Sequence, residues 1–250
     1  MTGTAHGGAA NLIDGPGTSE TRWRRWPGLL ASPVLNVTRW VSAVIVAAHP
    51  DDEVLGAGGV MSVLAATGAR LRVIAVTDGE ASHPGHRDTA ELVRRRAQER
   101  AEALRALGAT DAEVIRLGLP DSGLAALDSQ ITAAFEDLVT GFEVCLAPWE
   151  SDLHADHEAV GRAARQAGKQ TFFYPVWMWH WARPAAPSVP WGQAVRVVLP
   201  PAVAARKQAA IRCFRSQLKP RAPGAPPVLP PGFVTHFCRD YEVLFPVVRL

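Results

Sequence analysis

Short runs rich in apolar residues alternate with longer amphipathic segments along most of the chain. The runs have the length of β-strands and lie at 43–48, 70–76, 113–117, 143–147, 172–176 and 194–199. Segments with helical spacing of apolar positions lie at 54–67, 88–107, 127–140, 156–167 and 201–217. The run at 43–48 contains no polar residue, which is typical of a strand covered on both faces. This alternation predicts an α/β fold, a Rossmann-like three-layer sandwich with a mainly parallel sheet.

The two ends of this pattern differ in composition from the rest. Residues 1–21 are rich in Gly, Ala, Thr and Ser, so we expect a mobile tail within a partly disordered N-terminal extension at 1–40. Residues 219–232 contain six prolines and predict a surface loop. The stretch 41–250 is predicted to form one domain, for which 48% hydrophobic residues in a chain of 250 supply a core.

The overall charge and the cysteines narrow the class of protein. With 26 basic and 24 acidic residues the formal net charge is +2, which favours neither a nucleic-acid nor an anionic-membrane partner. No run approaches the roughly 18 apolar residues of a membrane span, so stable membrane insertion is not expected. Three widely spaced cysteines argue against a disulfide framework and favour a reducing, cytoplasmic location. The oligomeric state stays open.

One imidazole and three carboxylates follow the first predicted strand, in the segment Ala48-His-Pro-Asp-Asp-Glu53. In parallel α/β sheets ligands bind outside the carboxyl ends of the strands. Zn²⁺ accepts imidazole and carboxylate ligands, and a catalytic zinc site leaves one position for water. His49 and Asp52 lie three residues apart around a turn at Pro50 and can bind one ion together. Asp51 projects differently and can face the attacking water.

A second polar cluster, His154-Ala-Asp-His157, follows the fourth predicted strand at the start of a helix. Positions i and i+3 share a helix face, so both histidines can address one point. Asp156 is placed to fix the tautomer of a histidine ring. Either cluster alone is a weak signal, and the second is compatible with an ordinary polar helix cap. Together they predict a three-ligand zinc site, although the same ligand types also accommodate Fe²⁺.

These paired motifs resemble those of the LmbE-like family, also called the PIG-L or N-acetylglucosaminyl-phosphatidylinositol de-N-acetylase family. The resemblance covers roughly residues 42–250 and is supported by the segments Thr77-Asp-Gly-Glu80, Arg96-x-x-Glu99 and Ser216-Gln217. It implies that His49, Asp52 and His157 are the zinc ligands. It implies also that Asp51 is the general base, that His154 stabilises the oxyanion or protonates the leaving amine, and that Asp156 orients His154.

Members of this family hydrolyse compounds that contain N-acetylglucosamine. The resemblance therefore implies an enzyme, a zinc-dependent hydrolase that removes an N-acetyl or other N-acyl group from an amino-sugar-containing small molecule or glycoconjugate. The chemistry is consistent, because zinc lowers the pKa of its water to about 7 and polarises a carbonyl. Asp51 can then accept the proton of the water, and a positively charged His154 can offset the oxyanion.

Two other functions use the same elements. A nucleotide-dependent transferase or oxidoreductase would share the fold, but Gly56-Ala-Gly58-Gly59 does not match the phosphate-binding pattern G-x-G-x-x-G. These glycines fall inside the first predicted helix, where they favour close helix–sheet packing. A non-catalytic sugar-binding domain is the second alternative, and the complete set of ligands and base argues against it.

Three further features have open interpretations. Trp177, Trp179 and Trp181 form either a lid or sugar platform or the ordinary packing of a long loop. His83 and His86 lie at the ligand edge of the sheet and either contact substrate or are solvated. The Arg- and Glu-rich helix at 88–107 predicts a mostly exposed, salt-bridged face, from which Arg96 can point inward.

Overall fold

A computed structural model describes residues 12–13, 15–83, 85, 88–168, 170–222 and 224–248. Among them, seven strands form one sheet in the order β3-β2-β1-β4-β5-β7-β6. The first five are parallel to one another, and β7 runs antiparallel to both β5 and β6. The strands are β1 (Ser42–Ala47), β2 (Arg70–Thr77), β3 (Glu113–Leu119), β4 (Val144–Pro148), β5 (Thr171–Tyr174), β6 (Val195–Val198) and β7 (Tyr241–Pro246).

Helices cover both faces of the sheet, which confirms the predicted three-layer α/β fold. The helices are α1 (Glu20–Arg24), α2 (Gly28–Ala31), α3 (Asp52–Ala66), α4 (Thr89–Leu107), α5 (Asp128–Leu138), α6 (Ala155–Ala167), α7 (Met178–Trp181), α8 (Pro201–Ile211), α9 (Arg215–Leu218) and α10 (Pro231–Val234). One layer packs α3 against α4 and α8, and the other packs α5 against α6. No helix in the described stretches combines the length and the apolar character needed to cross a membrane.

The central strand β1 explains why the first apolar run lacks polar residues. Every side chain from Ala43 to Ala48 is completely buried between the two helical layers. Helix α3 approaches the sheet closely because it carries glycine at the contact: a Cβ on Gly56 would lie 2.0 Å from the ring of Tyr174. The glycines of α3 therefore serve helix packing, as the sequence suggested, and they hold its first turn against the sheet.

Two elements differ from the sequence prediction. Strand β7 was not predicted, because strand–helix alternation gives no signal for an antiparallel strand that inserts between β5 and β6. The predicted helix at 201–217 is two helices, α8 and α9. Phe214 leaves the helical conformation between them, with ψ 57°, and its side chain becomes completely buried.

The N-terminal segment is packed onto the domain, which differs from the mobile tail expected over 1–21. Residues 1–11 and 14 lie outside the described residues, but from Gly15 onward the segment makes defined contacts. Trp23 is completely buried and meets Trp179 edge to face, with ring centroids 5.2 Å apart. Glu20 accepts hydrogen bonds from Arg239 at 2.9 and 2.6 Å. Ser19 to Trp23 therefore anchor this segment beside α7 and β7.

Candidate active site

The two polar motifs meet because β1 and β4 are parallel neighbours in the sheet. His49 follows the carboxyl end of β1, and His154 caps the N-terminus of α6 after β4. The ring centroids of His49 and His154 are 4.9 Å apart, and those of His154 and His157 are 4.7 Å apart. The structure thus brings together residues that lie more than a hundred positions apart in the sequence.

Asp52 lies between the two histidines that were predicted as its fellow metal ligands. Its Oδ2 is 3.5 Å from Nδ1 of His49, and its Oδ1 is 3.3 Å from Nε2 of His157. Ligand nitrogens of His49, His154 and His157 also lie within 4.8 Å of one another. Nε2 of His157 is buried and has no hydrogen-bond partner among the described residues. Such a set of imidazole and carboxylate donors suits a divalent ion.

Asp152 is a site residue that the sequence analysis missed. Its Oδ2 lies 2.8 Å from Nδ1 of His157, and the carboxylate is completely buried. It also accepts the backbone N–H groups of Trp177 and Met178, at 2.8 and 2.7 Å. A carboxylate on the outer nitrogen of a metal-ligating histidine fixes the tautomer and the ring orientation. The available signal was an acidic residue in the loop after β4, five positions before His157.

Asp156 has a different partner from the predicted one. Its Oδ2 lies 3.1 Å from Nε2 of His49, and the carboxylate accepts the N–H groups of Ser122 and Leu124. Its place in the first turn of α6 directs the side chain towards the end of β1. Asp156 therefore orients His49, whereas only its backbone N–H contacts the ring of His154, at 3.3 Å from Nδ1.

Asp121, which no sequence motif singled out, joins this group from the loop after β3. Its Oδ1 is 3.3 Å from Nε2 of His49. His49, Asp121 and Asp156 form a second cluster whose potential ligand atoms lie within 4.8 Å of one another. Burial opposes the ionisation of Asp121, but the contact with His49 prevails and lowers its pKa to about 2. The inner end of the site is therefore rich in negative charge.

Asp51 is held in an unusual conformation at the start of α3. Its φ is 128°, a region that residues other than glycine rarely adopt and that is over-represented at functional sites. Nη2 of Arg96 donates to the carbonyl of Pro50 at 2.6 Å and lies 3.3 Å from Oδ2 of Asp51. Burial raises the pKa of Asp51 to about 7, with Asp52 and Glu53 adding to the effect and Arg96 opposing it.

The helix that carries Arg96 presents charged side chains to the interior. Arg96, Glu99 and Arg100 are all about 2% exposed or less, and Nε of Arg100 lies 2.8 Å from Oε1 of Glu53. Arg96 thus points inward, as the sequence allowed, whereas the prediction of an exposed charged face is wrong for Glu99 and Arg100. They lie on the same buried face of α4 as Leu92 before them and the apolar residues from Ala103 onward. This face is therefore charged only in its middle.

His154 has its predicted place but not its predicted charge. Burial, together with the neighbouring His157 and His49, lowers its pKa to about 3, so the ring is neutral at neutral pH. Because Nδ1 accepts the N–H of Asp156, the neutral tautomer carries its proton on Nε2. The ring plane lies 19° from that of Trp177, with centroids 6.2 Å apart.

His49, Asp51, Asp52, Asp121 and His154 line a cavity of about 480 Å³, within the usual range for small-molecule sites. Its inner end is polar. Its outer wall is largely apolar and comprises Ile13, Trp177, Val228, Leu229 and Phe233. Three prolines and one histidine complete this wall: Pro226, Pro227, Pro230 and His180.

Only one residue of the predicted tryptophan group contributes to this wall. Trp177 lies between His154 and the ring of Phe233, whose centroid is 4.8 Å away. Trp179 is 4% exposed and packs on Trp23, and Trp181 stacks on Trp149. The segment is a helix rather than a continued strand, so the three side chains point in different directions.

Of the two loop histidines after β2, the structure describes only His83. His83 lines a neighbouring cavity of about 430 Å³ together with Ser216 and Arg221. His86 lies outside the described residues.

Comparisons with known proteins agree with this geometry. Residues 44–168 match the PIG-L family, described as GlcNAc-PI de-N-acetylase, and this segment holds all six predicted site residues. A curated relative is the 1D-myo-inositol 2-acetamido-2-deoxy-alpha-D-glucopyranoside deacetylase of Kineococcus radiotolerans. It is 34% identical over 104 residues, which cover 38% of this chain and 29% of the relative. The chain thus spans less than a third of the length of that curated relative.

Solved structures extend the likeness of fold. N,N'-diacetylchitobiose deacetylase from Pyrococcus horikoshii has a TM-score of 0.57 at 18% identity, covering 88% of this chain and 82% of that protein. The conserved protein TT1542 from Thermus thermophilus has a TM-score of 0.58 at 28% identity, covering 83% of this chain and 94% of that protein. The family match spans half of the 250 residues, and it contains the two motifs whose side chains meet at the sheet edge. This chain belongs to the PIG-L family.

Proposed function

We propose that this protein is a zinc-dependent hydrolase that removes an N-acetyl or other N-acyl group from an amino-sugar-containing small molecule or glycoconjugate. The observation that carries the proposal is the convergence of His49, Asp52 and His157 with Asp51 and His154 at the inner end of one cavity. Family membership supports it, as do the acetamido-sugar substrates named for the Kineococcus and Pyrococcus proteins.

His49, Asp52 and His157 would hold the ion. Three observations support the fit: Nε2 of His157 is buried without a hydrogen-bond partner among the described residues, its Nδ1 is committed to Asp152, and the Asp52 carboxylate lies between both rings. Zinc bound there would polarise the acyl carbonyl and lower the pKa of the attacking water. We propose zinc because two histidines and one carboxylate with an open position are its usual catalytic arrangement.

The remaining residues supply proton transfer and charge stabilisation. Asp51 takes a proton from the attacking water, and its pKa of about 7 is near the optimum for a general base at neutral pH. Neutral His154 donates a hydrogen bond from Nε2–H to the developing oxyanion. Because His154 carries no extra proton, the leaving amine receives the proton that Asp51 removed from water. One carboxyl group then acts first as base and then as acid.

The cavity supports a substrate with two unlike ends. Asp121, Arg96 and the histidines at the inner end suit the hydroxyl and acetamido groups of a sugar, and the apolar outer wall suits the group attached to that sugar. Cys145, Cys213 and Cys238 are free thiols, which supports a reducing compartment, and we propose a cytoplasmic location.

An acetate-release screen tests the function. Zinc-loaded protein is incubated with N-acetylglucosamine, N,N'-diacetylchitobiose and inositol-linked N-acetylglucosamine, with Asp51→Asn as the matched control. We expect acetate from at least one compound with the wild type, loss of that activity in the variant, and loss on chelation that added zinc reverses. Protein that holds one zinc per chain yet releases no acyl group from any N-acylated sugar would contradict the proposal.

A further inference from the structure

Ser216 and Gln217 form a motif to which the proposed reaction assigns no role. They lie in the short helix α9, directly after the break at Phe214. Gln217 is completely buried and lines the same cavity as Asp51 and His154, whereas Ser216 lines the neighbouring cavity that contains His83. The pair therefore forms part of the partition between the two cavities.

A chain of hydrogen bonds fixes the orientation of the Gln217 side chain. Glu99 accepts the backbone N–H of Ser216 at 2.8 Å and its hydroxyl at 2.6 Å. A hydroxyl has only one proton, so Oγ of Ser216 can then act only as an acceptor. It accepts Nε2–H of Gln217 at 2.8 Å. The network thus determines which end of the carboxamide is nitrogen, and it turns the oxygen away from Ser216.

The carboxamide oxygen of Gln217 has no hydrogen-bond partner among the described residues, although it is buried. Buried acceptors in native proteins nearly always have a partner, and one that lacks it costs free energy. Since the residue lines the cavity, a bound molecule can supply the missing donor. An acceptor held from behind by Glu99 and Ser216 loses little conformational freedom when that donor arrives.

We propose that Gln217 is a specificity-determining residue whose Oε1 accepts a hydrogen bond from one hydroxyl group of the amino-sugar substrate. Glu99 and Ser216 are positioning residues that act through the carboxamide. The inference rests on the proposed function, because it assumes an amino sugar in the cavity. A site built to hydrogen-bond a substrate hydroxyl discriminates against an analogue that lacks it, because the acceptor is then left without a partner.

Deoxy sugars test this assignment. The kcat/KM for acetate release is measured for N-acetylglucosamine and for its 3-deoxy, 4-deoxy and 6-deoxy derivatives, with wild type, Gln217→Met and the exposed control Gln193→Met. We expect the wild type to use one deoxy compound about 10- to 100-fold less efficiently than the parent, as for loss of a hydrogen bond to a buried group. Gln217→Met has a side chain of similar length but no comparable acceptor. It should abolish the kcat/KM penalty for that one deoxy compound and leave the ratios for the other two unchanged. Gln193→Met should change none of the three ratios.

A purely structural role gives a different pattern. If Gln217→Met lowers kcat/KM equally for all four sugars, or keeps every deoxy penalty, the assignment is overturned. Should that variant fail to fold, Ser216→Ala provides the same test, because it retains the backbone contact to Glu99 but releases the carboxamide. Undiminished discrimination in Ser216→Ala then overturns the proposal.

Binding separates this inference from the proposed reaction. The affinity for the same four sugars is followed by tryptophan fluorescence, since Trp177 lines the cavity. Sugars that bind with the deoxy penalty but release no acetate contradict only the hydrolase. Acetate release without any Gln217-dependent penalty contradicts only the role of Gln217, and the absence of sugar binding contradicts both.

Discussion

Asp152 lies 2.8 Å from Nδ1 of His157 and also accepts the backbone N–H groups of Trp177 and Met178. One buried carboxylate therefore connects the ring of a proposed metal ligand to the segment that forms the cavity wall. This contact leaves Nε2 of His157 directed at Asp52.

Replacing Asp152 by Asn should weaken zinc binding without removing a ligand. The neutral amide holds the ring less firmly and makes the imidazole a poorer donor, so affinity should fall about 10- to 100-fold. Competition with a chromophoric chelator measures the affinity, and Asp111→Asn, at an exposed position, should leave it unchanged. Equal zinc affinity in the wild type and Asp152→Asn would show that the contact does not support the ion.

Substitution should distinguish the roles of the adjacent carboxylates Asp51 and Asp52. Asp51→Asn should keep the zinc and lower kcat by roughly 10²–10⁴-fold, the range for loss of a general base. Asp52→Asn should lower zinc affinity, with activity partly restored by excess metal. Elemental analysis and single-substrate kinetics distinguish the two. Zinc lost from Asp51→Asn and retained in Asp52→Asn would reverse the roles.

The pH dependence of the wild type should show the base directly. The pKa of Asp51 is raised to about 7, so the carboxyl group gains a proton as the pH falls through 7. Because a base must be deprotonated to act, kcat/KM should decrease below about pH 7. The residual activity of Asp51→Asn should lack this acidic limb. An unchanged limb in the variant would assign the titration to another group.

Two tryptophans of one segment should behave differently. Trp177→Ala removes a cavity wall that stacks on His154, so kcat/KM should fall by roughly 10- to 100-fold through misplacement of reacting groups. Trp179→Ala removes a buried ring and should cost about 3–5 kcal/mol of unfolding free energy, with kcat/KM of the folded protein preserved. Denaturant unfolding and kinetics on the same samples compare them. Loss of stability alone in both variants would favour simple packing for Trp177.

Glu20 should make the stability of the protein sensitive to acid. Burial opposes its ionisation, but hydrogen bonds from His236 and Arg239 prevail and lower its pKa from 4.5 to about 2. Its contribution is therefore full above pH 4.5 and is lost as the pH falls towards 2. Glu20→Gln should lower the unfolding free energy at pH 7 by about 1–2 kcal/mol, because solvent partly screens the charge of Glu20.

The difference in unfolding free energy between the wild type and Glu20→Gln should narrow as the pH falls from about 5 towards 2. Denaturant midpoints across this range measure it, and Glu136→Gln, at an exposed position, serves as the control. A constant difference at every pH would mean that the charge of Glu20 does not stabilise the fold.

The sequence predicted what local pattern and strand order can determine. The apolar run at 43–48 specified a buried strand, and the principle that ligands bind at carboxyl ends placed His49 beside His154. It could not identify Asp152, whose partner His157 is set by how the loop after β4 folds back on α6. It also missed the anchored N-terminal segment, because the burial of Trp23 depends on distant partners such as Trp179.

The charge of His154 was mispredicted for a related reason. The sequence analysis allowed a positively charged His154 oriented by Asp156, but the carboxylate of Asp156 contacts His49 instead. His154 is buried beside the imidazoles of His157 and His49. Burial and these two rings lower its pKa. Tertiary contacts thus decide a charge that adjacency in sequence cannot.

The composition of the cavity has a consequence for how substrate preference changes among relatives. All groups assigned a chemical step lie within residues 44–168, the part that matches the family, whereas Ile13, Trp177, Gln217, Leu229 and Phe233 lie outside it. The residues proposed to carry out the reaction and those of the apolar outer wall therefore lie in separate stretches of the chain. Exchange of the proline-rich segment between two homologues would transplant preference for the attached group while the metal affinity stayed constant.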